Sequence, residues 1–150
     1  MDIQTRRLLI AEIVAVTDTL LREGQRLFKP LGLTVAQYNV LTILALSTEP
    51  AGLSQRELGD RLVVDRSNVT GLLDRMEKAG WVRRSDDKAD RRVYRVRLTP
   101  TGRHLWEQAD ALYVTAIERV TDALGARETQ TTLATLGRLK SGAAASAPAH

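Results

Sequence analysis

Arginines are concentrated on one short segment of the chain, residues 90–99. The segment carries Arg91, Arg92, Arg95 and Arg97. Because arginine pairs bidentately with guanine and is drawn to the negative potential of a narrow A·T-rich minor groove, such a segment is suited to contacting DNA. Arg91 and Arg92 would form a tip in or near the minor groove. Arg95 and Arg97 alternate outward, where simple solvation is the competing interpretation.

The net positive charge of the chain comes from the part that holds this segment. Residues 53–103 carry thirteen basic and eight acidic side chains, a net charge of +5, whereas the whole chain carries +4. An excess of positive charge on one segment is expected of a phosphate-binding surface. A solvated basic face with no partner is the alternative that charge alone leaves open.

Two short helices are predicted directly before the arginine segment. Ser54-x-x-Glu57 is a capping box, in which a hydroxyl accepts from a free helix N–H while the glutamate reaches back, and it begins the first helix. A tight turn follows at residues 62–65, Asp65 caps the second helix, and Gly80 ends it. Two short helices joined by such a turn match a helix–turn–helix.

The second helix would turn one apolar face to a core and the opposite face to DNA. Its apolar face holds Val69, Leu72, Leu73, Met76 and Ala79. Its opposite face holds Ser67, Gly71, Asp74 and Lys78, flanked by Arg66, Thr70 and Arg75. The first turn of a recognition helix meets base edges in the major groove. The DNA-binding candidates are Ser54, Gln55, Arg66, Ser67, Asn68, Thr70, Gly71, Arg75, Asp90, Arg91 and Arg92.

Several of these candidates have a competing structural role. Asn68 can pair with adenine, but it can also cap the helix. Ser54 and Gln55 lie where a helix N-terminus donates to phosphate, and capping alone is the rival role. Gly71 costs about 1 kcal/mol relative to alanine inside a helix, which a close approach to DNA would explain; a neutral surface glycine is the alternative. Arg75 could pair with an acid of the arginine segment instead of contacting DNA.

Capping signals and chain breakers predict the helices before this motif. A long helix over residues 5–28 ends at Pro30 and Gly32. Thr34-x-x-Gln37 is a second capping box, which opens the next helix. The core face of that helix holds Tyr38, Leu41, Leu44 and Ala45.

A hairpin and a further helix follow the motif. Strands are predicted at residues 81–85 and 92–98, joined by a loop at 86–91. Thr99 then caps a helix that has Pro100 at its first position, where proline is favoured.

The end of the chain is predicted to be helical and then disordered. The helix that starts at Pro100 runs to about Leu124, and a last helix covers about 127–140. Residues 141–150 are rich in Ala, Ser and Pro and are expected to be disordered. The predicted fold is mainly α with a small β-hairpin wing, a winged helix–turn–helix, with helical arms from both termini.

Four pieces in the correct order resemble the MarR family of winged helix–turn–helix regulators. They are Gly32-Leu33-Thr34-x-x-Gln37-Tyr38-x-Val40-Leu41, Leu53-Ser54-Gln55-x-Glu57-Leu58, the segment from Asp65 to Gly80, and Asp90-x-Arg92 with Val96-x-Leu98-Thr99 and Gly102. The resemblance implies a homodimeric repressor, or less often an activator, that binds a pseudo-palindromic operator on double-stranded DNA. It also implies that Asp90 orders the wing loop while Arg92 reaches into a groove.

The outer helices carry more apolar surface than one winged domain can cover, so we expect them to intertwine across a two-fold axis. Residues 1–30 and 104–140 would form the dimerisation region, residues 31–103 the winged helix–turn–helix domain that binds DNA, and residues 141–150 a disordered tail. The dimerisation candidates are Leu9, Ile13, Val16, Leu20, Leu112, Ala116, Val120, Leu133 and Leu136. Packing of the outer helices on their own domain in a monomer is the alternative.

A small-molecule effector is the least constrained expectation. The resemblance implies that a small aromatic or phenolic compound commonly releases such a regulator from DNA. A pocket between the dimer helices and the winged domain would let the effector favour a helix spacing that DNA does not accept. The candidate linings are Arg22, Arg26, Tyr38, His104 and Trp106, each with a core or surface position as the competing role.

Other classes of function have little support. The chain has no cysteine, which excludes disulfides and thiol sensing, and its two histidines, His104 and His150, do not make a metal site. Nucleophile-elbow, P-loop and dinucleotide motifs are absent from the sequence, so we expect no enzyme and no cofactor. Without a signal peptide or a membrane-spanning run, the expected location is cytoplasmic, with no membrane partner. The alternative function is a winged-helix protein-interaction module without sequence-specific DNA binding.

Overall fold

The computed structural model describes residues 1–62, 68–87, 90 and 92–145. In that part of the chain the α-helices are α1 Ile3–Phe28, α2 Val35–Ala45, α3 Gln55–Arg61, α4 Val69–Lys78, α5 Pro100–Thr121 and α6 Ala126–Ala145. The strands are β1 Leu53–Ser54, β2 Val82–Asp86 and β3 Tyr94–Leu98. The fold is mainly helical with a small antiparallel sheet, which confirms the predicted winged helix–turn–helix.

Helix α1 begins and ends at local signals. The Asp2 side chain accepts from the backbone N–H of Gln4 at 2.8 Å and of Thr5 at 3.0 Å, so the helix starts two residues before the predicted position. A 3₁₀ turn, Lys29–Leu31, follows the helix, and Gly32 then adopts a φ of 68°, which is accessible at little cost only to glycine. The predicted stop at Pro30 and Gly32 is confirmed.

Both predicted capping boxes are present. Thr34 Oγ1 accepts from the Gln37 backbone N–H at 3.2 Å, and Gln37 Oε1 accepts from the Thr34 N–H at 2.8 Å. Ser54 and Glu57 repeat the arrangement at 3.2 and 2.7 Å. These reciprocal bonds satisfy N–H groups that have no partner within their own helix.

The sheet has one strand more than was predicted. Its order is β1-β3-β2, with both pairings antiparallel, so β3 lies in the middle. Strand β1 has two residues, which is too short to show an alternating pattern in the sequence. Its pairing of Leu53 with Val96 and of Ser54 with Arg95 places the start of α3 directly beside the wing.

The hydrophobic core lies between α2, α3, α4 and the sheet. Its members are Phe28, Leu33, Ala36, Tyr38, Val40, Leu41, Leu44, Leu53, Leu58, Leu62, Val69, Leu72, Leu73, Met76, Val82, Val96 and Ala109. The predicted core faces of α2 and α4 are confirmed except at their ends, where Ala45 is half-buried and Ala79 is exposed. Both alanines lie in the last turn or just beyond it, where the helix leaves the core.

The last two helices differ from the predicted lengths. Helix α5 ends at Thr121 and α6 continues to Ala145, five residues beyond the predicted end. The expectation of disorder is therefore wrong for residues 141–145, whose alanines favour the helix. Residues 146–150, and with them His150, lie outside the described residues.

The chain divides into two compact units, Met1–Tyr113 and Val114–His150. The first unit contains the winged helix–turn–helix together with α1, and the second contains α6. Within the described ranges, no helix is both long enough and apolar enough to cross a membrane.

Candidate nucleic-acid interface

The first turn of α4 is capped by an asparagine. Helix α4 begins at Val69, and Asn68 Oδ1 accepts from the Gly71 backbone N–H at 3.1 Å. The sequence had assigned the cap to Asp65. Of the DNA-binding candidates at this end, Arg66 and Ser67, like Asp65, lie outside the described residues. The capping role weighed for Asn68 is the one that the structure contains.

The Asn68 cap also lies directly against the glycine inside α4. A Cβ at Gly71 would lie 2.6 Å from Asn68 Oδ1 and 3.1 Å from Asn68 Nδ2. A side chain at this position would therefore displace the asparagine from the helix end. Neither interpretation of Gly71 drawn from the sequence included this contact with Asn68, because the cap had been assigned three residues earlier, to Asp65.

A side-chain hydrogen bond joins the starts of α3 and α4. Gln55 Nε2 donates to Thr70 Oγ1 across fifteen residues of sequence. Two candidates from different helices are thereby brought together on an exposed surface. Ser54, one residue before Gln55, uses its hydroxyl as the α3 cap, which confirms the structural role weighed for it.

Arg84 is a residue that sequence reasoning missed. From β2 it reaches Asp74 Oδ1 at 2.6 Å and Glu77 Oε2 at 3.1 Å, and its Nη2 donates to the Thr70 carbonyl at 3.4 Å. It therefore contacts two turns of α4. The available signal was its position on β2, where it alternates with the outward-facing Arg83.

Arg75 was considered as the residue that would pair with a wing acid. Its side chain is exposed, and it forms no ion pair within the described ranges. Arg84 makes the connection between wing and helix instead, with acids of α4. Arg75 thus stays among the candidates for contact with DNA.

Arg95 is not solvated in the way that its outward position suggested. Its side chain is 27% exposed, its Nη1 lies 2.9 Å from Glu57 Oε2, and its Nε donates to Asp87 Oδ2. The bond to Asp87 raises the pKa of Arg95 above its usual range. Alternation along a strand predicts which face a side chain occupies, but it does not predict the acids that a neighbouring helix and loop bring to that face. Arg97 is exposed, and its Nε donates to the Ala51 carbonyl at 2.8 Å.

The wing tip is organised around Asp90. Its carboxylate accepts from the Arg92 backbone N–H at 3.0 Å and from Arg92 Nε and Nη2 at 3.1 and 3.2 Å. Its carbonyl accepts from the Val93 N–H at 2.9 Å, and its own N–H donates to Asp87 Oδ1 at 3.1 Å. These bonds match the loop-ordering role implied by the resemblance. The hydrogen bonds from the Arg92 side chain and backbone lower the pKa of Asp90 below its usual value.

Internal ion pairs change the charge that this surface presents. Arg84, Arg92 and Arg95 are matched with five carboxylates of α3, α4 and the wing. Exposed cations of the same elements that form no salt bridge within the described ranges are Arg56, Arg61, Arg75, Lys78, Arg83 and Arg97. Arg92 is 90% exposed despite its pairing. The surface that remains is positive around α4 and the wing, as a phosphate-binding surface requires.

Three of the five effector candidates lie on exposed surface of α1 and α5. Arg22 pairs with Asp18 at 2.8 Å and Arg26 with Glu23 at 3.0 Å, both exposed on α1. His104 is also exposed, beside Gln108. The hydrogen bonds, ion pairs and ring contacts of these residues do not join any two of the five.

Tyr38 and Trp106 belong to the buried side of the first unit. The Tyr38 hydroxyl donates to Asp110 Oδ1 at 2.8 Å, and Trp106 Nε1 donates to Thr42 Oγ1 at 3.2 Å. The Tyr38 ring stacks on Phe28 with 4.3 Å between centroids, and burial is the main cause that raises its pKa. These contacts give both residues a structural role in joining α2 to α5.

A separate cleft of about 330 Å³ lies between α1, α2 and α4. Its lining includes Leu21, Gln25, Val35, Leu72 and Arg75, and none of the five effector candidates. Among the described residues, no group of three or more His, Asp or Glu side chains is placed to hold a metal ion.

Helices α3 and α4 are capped, and an arginine-bearing wing packs against them. These features place the fold in the class of winged helix–turn–helix proteins. The sequence model of the MarR family matches residues 31–93. BadR of Rhodopseudomonas palustris, described as a transcriptional activatory protein, is 42% identical over 86 residues, which cover 57% of this chain and 49% of BadR. The chain thus spans about half the length of the curated relatives that it matches.

Two solved structures extend the similarity over most of the chain. A mutant MarR from Escherichia coli in complex with operator DNA has a TM-score of 0.75 at 27% identity and covers 93% of this chain and 99% of its own. CouR from Rhodococcus jostii RHA1, bound to p-coumaroyl-CoA, has a TM-score of 0.74 at 28% identity and covers 85% of this chain and 87% of its own. Over residues 31–93 the chain is similar to the MarR family, and the two solved structures extend the similarity of fold over most of its length.

Proposed function

We propose that this chain is a transcriptional regulator that binds a pseudo-palindromic operator as a homodimer and acts as a repressor. The observation that carries the proposal is that the wing is bonded both to α3, through Arg95, and to α4, through Arg84, while its Arg92 stays 90% exposed. A helix and a wing in that arrangement fit a major groove and the adjacent minor groove. Such a protein acts where the DNA is, so the proposal includes a cytoplasmic location.

The proposed contacts follow the capped helix ends. Thr70, Gly71 and Arg75 would lie at the major groove with Arg66, Ser67 and Asn68, while Ser54 and Gln55 would contact phosphate and Arg91 and Arg92 the minor groove. The hydrogen bonds of Gln55 to Thr70 and of Asn68 to the Gly71 N–H stabilise this surface before DNA arrives. Preorganised side chains lose less conformational entropy when they bind.

The proposed homodimer is supported by apolar side chains on the outer helices. Val16 and Leu20 of α1 are 55% and 49% exposed, and Val120 of α5 and Leu133 of α6 are 59% and 65% exposed. The remaining members of the proposed interface are Leu9, Ile13, Leu112, Ala116 and Leu136. Apolar surface of this extent is typical of an interaction site. A two-fold pair would space the recognition helices by about one turn of DNA, roughly 34 Å.

The proposal includes release of the regulator from DNA by a small aromatic or phenolic effector. CouR, a structural neighbour, is bound to p-coumaroyl-CoA, which supports a ligand-responsive regulator. The proposed linings remain Arg22, Arg26, Tyr38, His104 and Trp106. Shifts of the melting temperature across a panel of aromatic acids test this part, and a DNA complex that no stabilising acid dissociates would contradict it.

Binding to DNA is tested by fluorescence anisotropy with labelled duplexes from the region that flanks the gene of this protein. We expect the logarithm of the binding constant to fall linearly with the logarithm of salt concentration. Arg92→Ala should weaken binding and, because the dimer carries two copies of this arginine, reduce the slope by about two. Arg138→Ala, which removes the same charge from α6, is the matched control and should leave the slope unchanged.

The outcomes separate the proposal from its main alternative. Saturable binding with the expected salt slope, reduced only by the wing variant, supports a DNA-binding regulator. Binding that is absent for every duplex, or that neither variant nor salt changes, would leave a protein-interaction module as the better explanation. A reporter that falls when the protein is expressed supports repression, and one that rises supports an activator like BadR.

A further inference from the structure

We propose that Arg95 is a positioning residue that holds the wing at a fixed place relative to the start of α3, and so sets how strongly Arg92 contributes to DNA binding. The inference rests on the proposed function. Arg95 itself is turned toward protein carboxylates, and its effect on DNA would therefore pass through Arg92.

Arg95 connects two parts of the molecule that are far apart in sequence. Its Nη1 contacts Glu57 in the first turn of α3, 38 residues away, at 2.9 Å. Its Nε contacts Asp87 at the start of the wing loop. A guanidinium group can bind two carboxylates in different directions because its donors form a rigid planar fork, which the single ammonium of lysine does not reproduce.

The contacts continue beyond Arg95 to both DNA-facing ends. On one side, Glu57 Oε2 also accepts from the Ser54 N–H at 2.7 Å, so the same carboxylate belongs to the α3 capping box. On the other side, Asp87 Oδ1 accepts from the Asp90 N–H, and Asp90 in turn binds Arg92. A continuous series of hydrogen bonds thus runs from the first turn of α3 to the wing tip.

The ion pair between Arg95 and Asp87 is largely buried, so water cannot easily take the place of either partner. The Asp87 side chain is 13% exposed and that of Arg95 is 27% exposed. A carboxylate that has lost most of its hydration is destabilised when a cation bonded to it is removed, so we expect it to move toward solvent. Because Asp87 also accepts from the Asp90 N–H, its movement would release the loop that carries Arg92.

The two exposed arginines of the sheet do not fit this role. Arg97 is on the same strand and the same face, but its bond goes to a backbone carbonyl and it is exposed. Arg83 lies directly across from Arg97 and forms no salt bridge within the described ranges. Arg97→Gln is therefore a matched control for Arg95→Gln, since it removes one charge from the same strand without breaking the connection to Asp87.

The test uses the full-length protein and two duplexes that share a central site selected in vitro with the wild-type protein. The flanks facing the wings are A·T-rich in one duplex and G·C-rich in the other. We expect Arg95→Gln to reduce the preference for A·T-rich flanks by about tenfold, within the range of couplings between contacting residues. Arg97→Gln should keep the preference. Arg95→Lys should restore it only in part.

A double-mutant cycle distinguishes positioning from general stability. If Arg95 acts through the wing, Arg92→Ala combined with Arg95→Gln should bind no more weakly than Arg92→Ala alone. Hydrogen exchange of the Asp90 and Val93 amides should accelerate in Arg95→Gln, while that of Gly71 in α4 stays unchanged. If Arg95→Gln does not fold, Asp87→Asn, which keeps the acceptor for Asp90 but removes the charge, takes its place.

Additive losses in the cycle, or an Arg95→Gln variant with unchanged flank preference, would overturn the proposal for Arg95. These results would leave the proposed function intact as long as wild-type protein binds the duplexes and Arg92→Ala binds them less well. Failure of the wild-type protein to bind any duplex would instead contradict the proposed function itself.

Discussion

The winged helix–turn–helix and the outer helices bury their apolar residues to very different extents. Helix α2 has six buried residues in eleven, including Val40 and Leu41, which are fully buried. Helix α1 has one buried residue in twenty-six, Phe28, at its end. Helix α6 has none among its residues. Both regions are rich in leucine and valine, so composition does not distinguish them.

The difference indicates that the winged segment folds around its own core, whereas the outer helices need further cover. Burial of a leucine or valine side chain contributes about 1.5–3 kcal/mol, and exposed ones forgo it. A second copy of the chain, as proposed above, would supply that cover.

Charges placed on the apolar side of α1 should separate the proposed dimer. We expect Val16→Glu combined with Leu20→Glu to sediment as a monomer at micromolar concentration. Specific DNA binding should then fall by roughly 10³, toward the level of non-specific binding. Ala11→Glu combined with Ala15→Glu adds the same charge on the other side of the helix and serves as the control. A double variant that remains dimeric would place the interface elsewhere.

Two glycine-to-alanine changes should have opposite effects in the two regions. A Cβ at Gly102 would lie 1.9 Å from the Trp81 carbonyl oxygen, and we expect Gly102→Ala to lower the free energy of unfolding by about 3 kcal/mol. At Gly137 in α6 no heavy atom lies within 4 Å of such a Cβ, and Gly137→Ala should raise it by about 1 kcal/mol. Urea unfolding measures both, and equal effects would contradict the contrast.

The bond between α2 and α5 at Tyr38 should make a smaller contribution. Tyr38→Phe removes the donor to Asp110 and keeps the ring stacked on Phe28, so we expect a loss of about 1 kcal/mol in unfolding free energy. Tyr94→Phe is the control, because Tyr94 is 55% exposed. Thermal unfolding monitored by circular dichroism would show the difference, and identical melting temperatures would argue against a role for the buried hydroxyl.

The smallest effect should be the pH dependence introduced by Glu57. Hydrogen bonds from Ser54, with a further contribution from Arg95, lower the pKa of Glu57 below its ordinary value of 4.5. Its stabilising contribution is therefore complete above that value and is lost as the pH falls through the lowered pKa of the folded state. Glu57→Gln does not titrate, so the advantage of the wild-type protein over this variant should shrink in acid. Urea unfolding of both proteins at neutral pH and at acid pH below the lowered pKa tests this prediction. A difference in unfolding free energy that does not change with pH would contradict it.

The parts of the fold that rest on neighbouring residues could be predicted from the sequence. Thr34 with Gln37 and Ser54 with Glu57 form capping boxes because each partner lies three residues from the other. Gly32 and Gly80 stop their helices through their own backbone freedom, with φ angles of 68° and 76°. Even there the α4 cap was misplaced, because several residues before Val69 can serve as a cap.

For the proposed DNA-binding surface, the sequence predicted which residues take part but not which of them contact one another. Arg84 was not singled out, the ion pairs of Arg95 were in neither interpretation of that residue, and the bond between Gln55 and Thr70 was unforeseen. Each of these contacts joins different elements, and a sequence pattern does not indicate which distant groups will meet.

The amino-acid sequence was sufficient for the order of the helices and the two longer strands, the two capping boxes and the positive charge of the winged segment, since these follow from short-range bonding and from composition. The tertiary structure decided which arginines form ion pairs within the protein. Folding brings Glu57 and Asp87 to Arg95, and Asp74 and Glu77 to Arg84, so these two guanidinium groups stabilise the wing. Arginines with identical chemistry therefore differ in role only because of the carboxylates that the fold places beside them.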